Sequence, residues 1–251
     1  MRRNSVTAIV SVTAAIMVAQ QVAASAVRDA FFLANYPASA LPGAMIISSL
    51  LSVALLPLLA RMMDRFGPAV VLPFITTLSA LLLVTEWVLS DYQPALAAMA
   101  LFVHTMVFGS VLVSGFWSLF NERFDPHTAK QLVGRVAGGA AFGGVVGGVL
   151  VERAGAAGID LPGLLPILAV VQLLAAGGSR AVTVGYTTIR HAAATEAPES
   201  YSSLLSSSYL RAITLLVALV AAVSTISSFL LKAEAARTYI QSAELLRFFA
   251  R

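Results

Sequence analysis

His104, in ALFVHTMVFGS, is the only ionisable residue between Gln93 and Asn121. A histidine at that depth in an apolar run can relay a proton, because its ring titrates near neutral pH. It can also simply hydrogen-bond a neighbouring helix, the commoner use. Arg28 and Asp29 close the first apolar run and can pair with each other or across helices. Gln20, Gln21 and Gln172 offer amides inside or near the ends of apolar segments, suited to holding a solute or to bonding between helices. Glu86, next to Trp87, reads as an interfacial residue. Two acid–base turns complete the set: Asp64–Arg65 in MMDRFGPAVV and Glu122–Arg123 in FNERFDPH. Nothing else invites chemistry. There is no cysteine, no phosphate loop and no metal-ligand spacing, and the three histidines lie 23 and 64 residues apart. The residues therefore point to no enzyme, cofactor or metal.

The elements that hold these side chains must be membrane helices. Of 251 residues, 59% are hydrophobic and 11% charged, with a mean hydropathy of +0.87. A soluble domain carries about 25% charged residues, so lipid must be this chain's solvent. A hydrocarbon core about 30 Å thick takes about 20 apolar residues per helix. Seven stretches of that kind occur, at 7–27, 38–62, 69–88, 94–120, 133–151, 161–178 and 209–231. The first follows Arg2 and Arg3 as a signal peptide would, but it is too long, carries Gln20 and Gln21, and precedes six further spans; it reads as a retained helix. The net charge of +4 does not imply nucleic acid, since the bases are scattered singly with no run of four.

Orientation follows from the bases. With the N-terminus in the cytoplasm, that side holds Arg2, Arg3, Arg61, Arg65, Arg123, Lys130, Arg135, Arg180, Arg190 and Arg211. The other side holds Arg28, Arg153, Lys232 and Arg237. Such an excess marks the cytoplasmic face and suits an inner membrane.

Both acid–base turns then lie in the cytoplasm. DRFGP (64–68) and ERFDP (122–126) resemble each other, with Asp125 as helix N-cap and Pro126 at the first helical position. Trp117 stands where a headgroup-level aromatic belongs. Asp64 contributes nothing to orientation, so its carboxylate calls for a partner. Arg123 and Arg135 are the bases within reach, and Asp64, Arg65, Glu122, Arg123 and Arg135 form a candidate conformational latch. The fifth span, GRVAGGAAFGGVVGGVL, repeats glycine at intervals of about four. Gly139, Gly143, Gly144, Gly147 and Gly148 predict a face that another helix approaches closely.

Asp64-Arg65-Phe66-Gly67 resembles the cytoplasmic signature of the major facilitator superfamily, G-x-x-x-D-R-x-G-R-R/K, with Ala60 in place of its first glycine and Pro68–Ala69 in place of its closing basic pair. Gly134, Gly143 and Gly147 fit the start of that family's antiporter motif, with Gly148 where it has proline. AVRDAFFLANYPASALPGAMI (26–46) together with FWSLFNERFDPHTAKQLVGRVAGG (116–139) resembles bacterial relatives of the ATP/ADP translocases of plastids and intracellular bacteria. The resemblance covers most of residues 20–150 and, more faintly, 227–249. It implies an all-α, polytopic membrane helix bundle: a facilitator-like six-helix N-terminal half plus the start of the second half. Residues 1–180 would form the first bundle, 181–208 a cytoplasmic linker, and 209–251 the seventh helix and the opening of an incomplete second bundle. The expected activity is secondary transport by alternating access. The partners would be the lipid bilayer, a small-molecule solute such as a nucleotide or other metabolite, and the missing C-terminal half of the same protein. The alternative is a non-transporting anchor or sensor domain of a larger regulatory protein. The face formed by Ala236, Tyr239, Ile240, Ala243, Leu246 and Phe249 predicts one further amphipathic helix over 236–250. Gln20, Gln21, Arg28, Asp29 and His104 are the candidate solute or proton pathway.

The base distribution makes a topology prediction. Reporter fusions at Asp91 and at Glu196 will report opposite sides of the membrane; the same side for both would overturn this orientation.

Overall fold

A computed structural model describes residues 2–183, 208–239 and 241–250, with side chains from Val6 onward. The expected linker over 181–208 falls almost entirely outside the described residues, as do the side chains of Arg2, Arg3 and Arg190. The described chain is all helix: α1 (Arg2–Asn35), a short 3-10 turn (Ala38–Ala40), α2 (Leu41–Phe66), α3 (Pro68–Tyr92), α4 (Pro94–Arg123), α5 (Pro126–Ala156), α6 (Leu161–Thr183), α7 (Ser208–Thr238) and α8 (Ser242–Ala250). The first seven helices are each long and apolar enough to cross a bilayer. This is a polytopic membrane helix bundle.

Proline and glycine set the turns. Pro68, Pro94 and Pro126 each open a helix at its first position, where a missing N–H costs nothing. Gly67 alone links α2 to α3, at φ 79°, a conformation that a Cβ would strain. At the matching position of the next such turn Asp125 sits at φ −61°. It caps α5 instead, its Oδ1 accepting from the backbone N–H groups of His127 and Thr128 at 3.1 Å each. The hydrogen bond with Thr128 and these N–H groups hold the Asp125 carboxyl below its usual range. The two similar pentapeptides therefore do the same job by different cap chemistry.

α1 lies at the centre, packed on α4, α5, α6 and α8. Its tightest partner is α5. A Cβ on Gly139 would come within 2.9 Å of the Ser11 carbonyl oxygen. On Gly143 or Gly147 it would collide with the backbone of Ala15 or Ala19. Small residues four apart on both helices thus bring the two backbones together. Gly148 meets the carbonyl of Ala250 on α8, and Gly144 only the side chains of Val18 and Val22. Gly134 and Gly138 face open space. α2 and α7, by contrast, stay on the rim. Ile46, Leu50, Val53, Leu216, Val220 and Val223 are exposed, as suits side chains whose solvent is lipid.

Two expectations need correction. α1 runs eight residues past its expected end at 27, because Arg28 and Asp29 are paired inside the bundle rather than sent to solvent. Residues 236–250 are not one helix. α7 ends at Thr238 and α8 starts at Ser242, tucking Leu245 and Leu246 against α1 and α5 while Tyr239 packs on Phe248 at 5.4 Å.

The seam predicts a position-dependent glycine effect. Gly143→Ala or Gly147→Ala will lower thermal stability in detergent by the equivalent of about 1–3 kcal/mol of overpacking. Gly138→Ala, which meets nothing within 4 Å, will not. Equal behaviour of the three variants would refute the close approach.

Candidate functional site

The bundle's buried apolar residues fall into two main clusters. One includes Ala23, Val27, Leu83, Leu101 and Leu165; the other includes Val10, Met17, Ile75, Leu112 and Ala175. On four helices polar residues stand between the two clusters. They are Gln20 and Gln21 on α1, Thr76 and Ser79 on α3, His104 and Thr105 on α4, and Gln172 on α6. They form a polar layer inside the bundle: Gln20, Gln21, Thr76 and Gln172 line one cavity, and His104 is bonded to Ser79. The hydroxyls of Thr76 and Thr105 donate to their own helices, to the Leu72 carbonyl at 2.7 Å and the Leu101 carbonyl at 2.6 Å. The amides and the imidazole are what remain for other work.

A cavity of about 40 Å³ opens beside this layer, lined by Gln20, Gln21, Gln172, Thr76, Phe116 and Trp117 among others. Since a buried water needs about 10–15 Å³ of such space, the cavity has room for a few waters and not for a metabolite. Gln172 is 2% exposed, and its Nε2 finds no hydrogen-bond partner. A buried amide donor left this way carries a desolvation cost of about 1–3 kcal/mol. Gly109 on α4 gives the Gln21 amide its room: a Cβ there would collide with the Gln21 nitrogen. Trp117, expected at the headgroup level, is half-buried against Phe116 and Phe120 and walls the cavity.

His104 is buried between two partners on α3. Its Nδ1 lies 2.9 and 3.2 Å from the two Glu86 carboxylate oxygens, and its Nε2 lies 2.9 Å from the Ser79 hydroxyl. Ser79 and Glu86 are seven residues apart, two helical turns, and so share a face. Phe108 closes the site edge-on at 5.1 Å. Glu86 is only 4% exposed; the interfacial expectation is wrong because the imidazole supplies inside the bundle what water supplies outside. Thr76, Ser79, Glu86 and Ser90 form one buried polar stripe on α3. Its spacing was visible in the sequence, and Thr76 and Ser79 were missed for want of any charge.

A second buried cluster ties α1 to α7. Asp29 Oδ1 accepts from Arg28 Nε at 2.8 Å and from Lys232 Nζ at 3.1 Å. Both cations lie over the Phe102 ring, 5.3 and 5.6 Å from its centroid, where the ring face attracts positive charge. Arg28 also reaches the Met106 sulfur at 3.1 Å. The expected Arg28–Asp29 pairing is thus both local and across helices. Lys232 and Arg28 are buried in the bundle, not loop charges, so of the four bases assigned to the far side only Arg153 and Arg237 are exposed.

The structure does not bring Asp64 into the ion pair expected with Arg123 or Arg135. Asp64 is exposed and has no ion-pair partner within 4 Å among the described residues. Arg65 lies over its neighbour Phe66 at 5.3 Å, Arg135 is exposed, and Glu122 and Arg123 are half-buried. No group of three metal-ligating side chains occurs among the described residues.

The α1–α7 cluster makes a stability prediction. Asp29→Asn leaves two buried cations without a counter-charge and will cost about 3–5 kcal/mol. Lys232→Met will cost less, because Arg28 still holds Asp29. Joining the two changes will recover part of the loss, read as thermal unfolding in detergent; strict additivity would show that the Lys232–Asp29 contact carries no coupling.

No protein-family model, curated protein or solved structure matches the chain.

Proposed function

We propose that the chain is a membrane domain of a secondary transporter working by alternating access, with facilitator-like architecture. The observation that carries this reading is the polar layer around the glutamine-lined cavity inside the bundle. Polar groups are expensive in lipid and collect along solute and ion paths. Transporters place their sites near the midplane, at the junction of helices that move relative to one another. Gln20, Gln21 and Gln172 are the solute-contacting residues. Their uncharged amides, with an aromatic wall from Phe116 and Trp117, suit a small polar metabolite; nucleotides are the class that the resemblance to ATP/ADP translocases brings forward. At about 40 Å³ the cavity is an occluded form, and solute enters only when the helices part. The chain lies in the inner membrane with its N-terminus in the cytoplasm.

Opening the site also gives the second buried cluster a role. α7 rests on the six-helix bundle mainly through its C-terminal half, where Lys232 and Ala235 are its buried residues. The Lys232–Asp29 pair is the joint about which α7 can shift.

The test is uptake into proteoliposomes containing the full chain, with labelled adenine nucleotides first and then a panel of small polar metabolites. Gln172→Leu is expected to lower uptake of the accepted solute at least tenfold while thermal stability is kept or raised, since it removes an unpaired buried donor. Absence of uptake across the panel would favour the anchor or sensor reading instead.

A further inference from the structure

We propose that Ser79, Glu86 and His104 form a proton-binding site, and that its proton is the coupling ion of the transport cycle. The coupling role rests on the transporter reading above; the binding of the proton does not. Three observations carry it. First, the two titratable groups are bonded to each other at 2.9 and 3.2 Å inside the bundle, so a single proton can sit on either without moving a side chain. Second, Ser79 serves both states: its hydroxyl donates to Nε2 of the neutral ring and accepts from Nε2–H of the charged ring, at the same 2.9 Å. Third, the stripe Thr76, Ser79, Glu86 and Ser90 runs along α3 from the glutamine cavity towards the end of that helix, so the site stands between the solute cavity and one face of the bundle.

The charges around the site set its behaviour. α3 contributes Glu86 and α4 contributes His104. Across α4, Arg28 and Asp29 from α1 and Lys232 from α7 gather at Phe102 and Met106. α6 carries no ionisable residue from Leu161 to Ser179, and α2 none from Leu41 to Ala60. With Glu86 ionised and His104 neutral, the buried side chains hold two positive and two negative charges, Arg28 and Lys232 against Asp29 and Glu86. Binding one proton leaves one positive charge in a medium where unbalanced charge is costly. That charge must be balanced by a second movement, of an anion inwards or of the Lys232–Asp29 joint, and such linked movement is coupling in the thermodynamic sense.

The proton itself is the probe. The full chain, labelled with 15N-histidine and held in lipid nanodiscs, is titrated while the ring nitrogens are observed by nuclear magnetic resonance. His127→Gln and His191→Gln variants assign the remaining signal to His104. The expected result is a His104 ring signal that changes with pH, and a different pH response in Glu86→Gln, where the carboxylate bonded to the ring is gone. A wild-type His104 signal unchanged with pH would overturn the proposal, as would an unchanged pH response in Glu86→Gln; should that variant not fold, the wild-type titration decides alone. No solute enters this measurement, so it stands or falls apart from the uptake assay.

Discussion

The close approach of α1 and α5 is the contact on which the other features depend. In lipid there is no hydrophobic gain from bringing two apolar helices together, so association rests on packing and hydrogen bonds. Gly139, Gly143 and Gly147 supply the packing by admitting the backbone of Ser11, Ala15 and Ala19. Because this seam involves backbone, it fixes the rotation of α1 as well as its distance. At 100° per residue, Arg28 lies about 180° around the helix from Ala19, and so faces away from α5 towards α4 and Phe102. Gln20 and Gln21 are likewise turned towards the cavity. A glycine face far from any chemistry thereby aims the groups that could perform it.

Much of this was legible in the sequence. Length and hydropathy located all seven long helices, and glycine spacing located the α5 seam. Asp125–Pro126 announced the cap that opens α5. His104, Gln20, Gln21, Gln172, Arg28 and Asp29 stood out as polar residues in apolar surroundings. What remained hidden was mutual position. Glu86 looked interfacial because it lies a turn and a half from the end of α3; only the packing of α3 on α4 brings it to His104. Lys232 looked like a loop charge for the same reason. Ser79 and Thr76 carry no charge, and hydroxyls in membrane helices commonly bond their own backbone, as Thr225 does to Ala221. The break between α7 and α8 was hidden because a continuous apolar face is equally compatible with two short helices folded onto one surface.

The polar groups of the bundle differ in how firmly they are held, and that difference separates scaffold from working parts. Thr76, Thr105, Ser48 and Ser179 spend their hydroxyls on carbonyls of their own helices; they cost little and bind nothing. Asp29 is held by two cations and His104 by two neighbours, so each is a junction between helices. The Gln172 nitrogen is held by nothing. In a water-soluble protein such a group would soon find a hydration partner. At this depth the partner must come through the cavity, which makes Gln172 the side chain with most to gain from a polar visitor.

The two buried ionic clusters sit on opposite sides of α4, and their charges are complementary. Around Phe102 there is one more cation than anion; around His104 there is one more anion than cation while the ring is neutral. Each cluster alone would leave a net charge in a low-dielectric interior, and together they leave none. Residues 102 and 104 on one helix point about 200° apart, so the helix separates the clusters without removing the field of either. A change in the proton content of one therefore alters the energy of the other without any contact between them. α7 enters this arrangement through Lys232, so its ionic contact with the bundle is one half of a charge balance whose other half lies at Glu86, on the far side of α4.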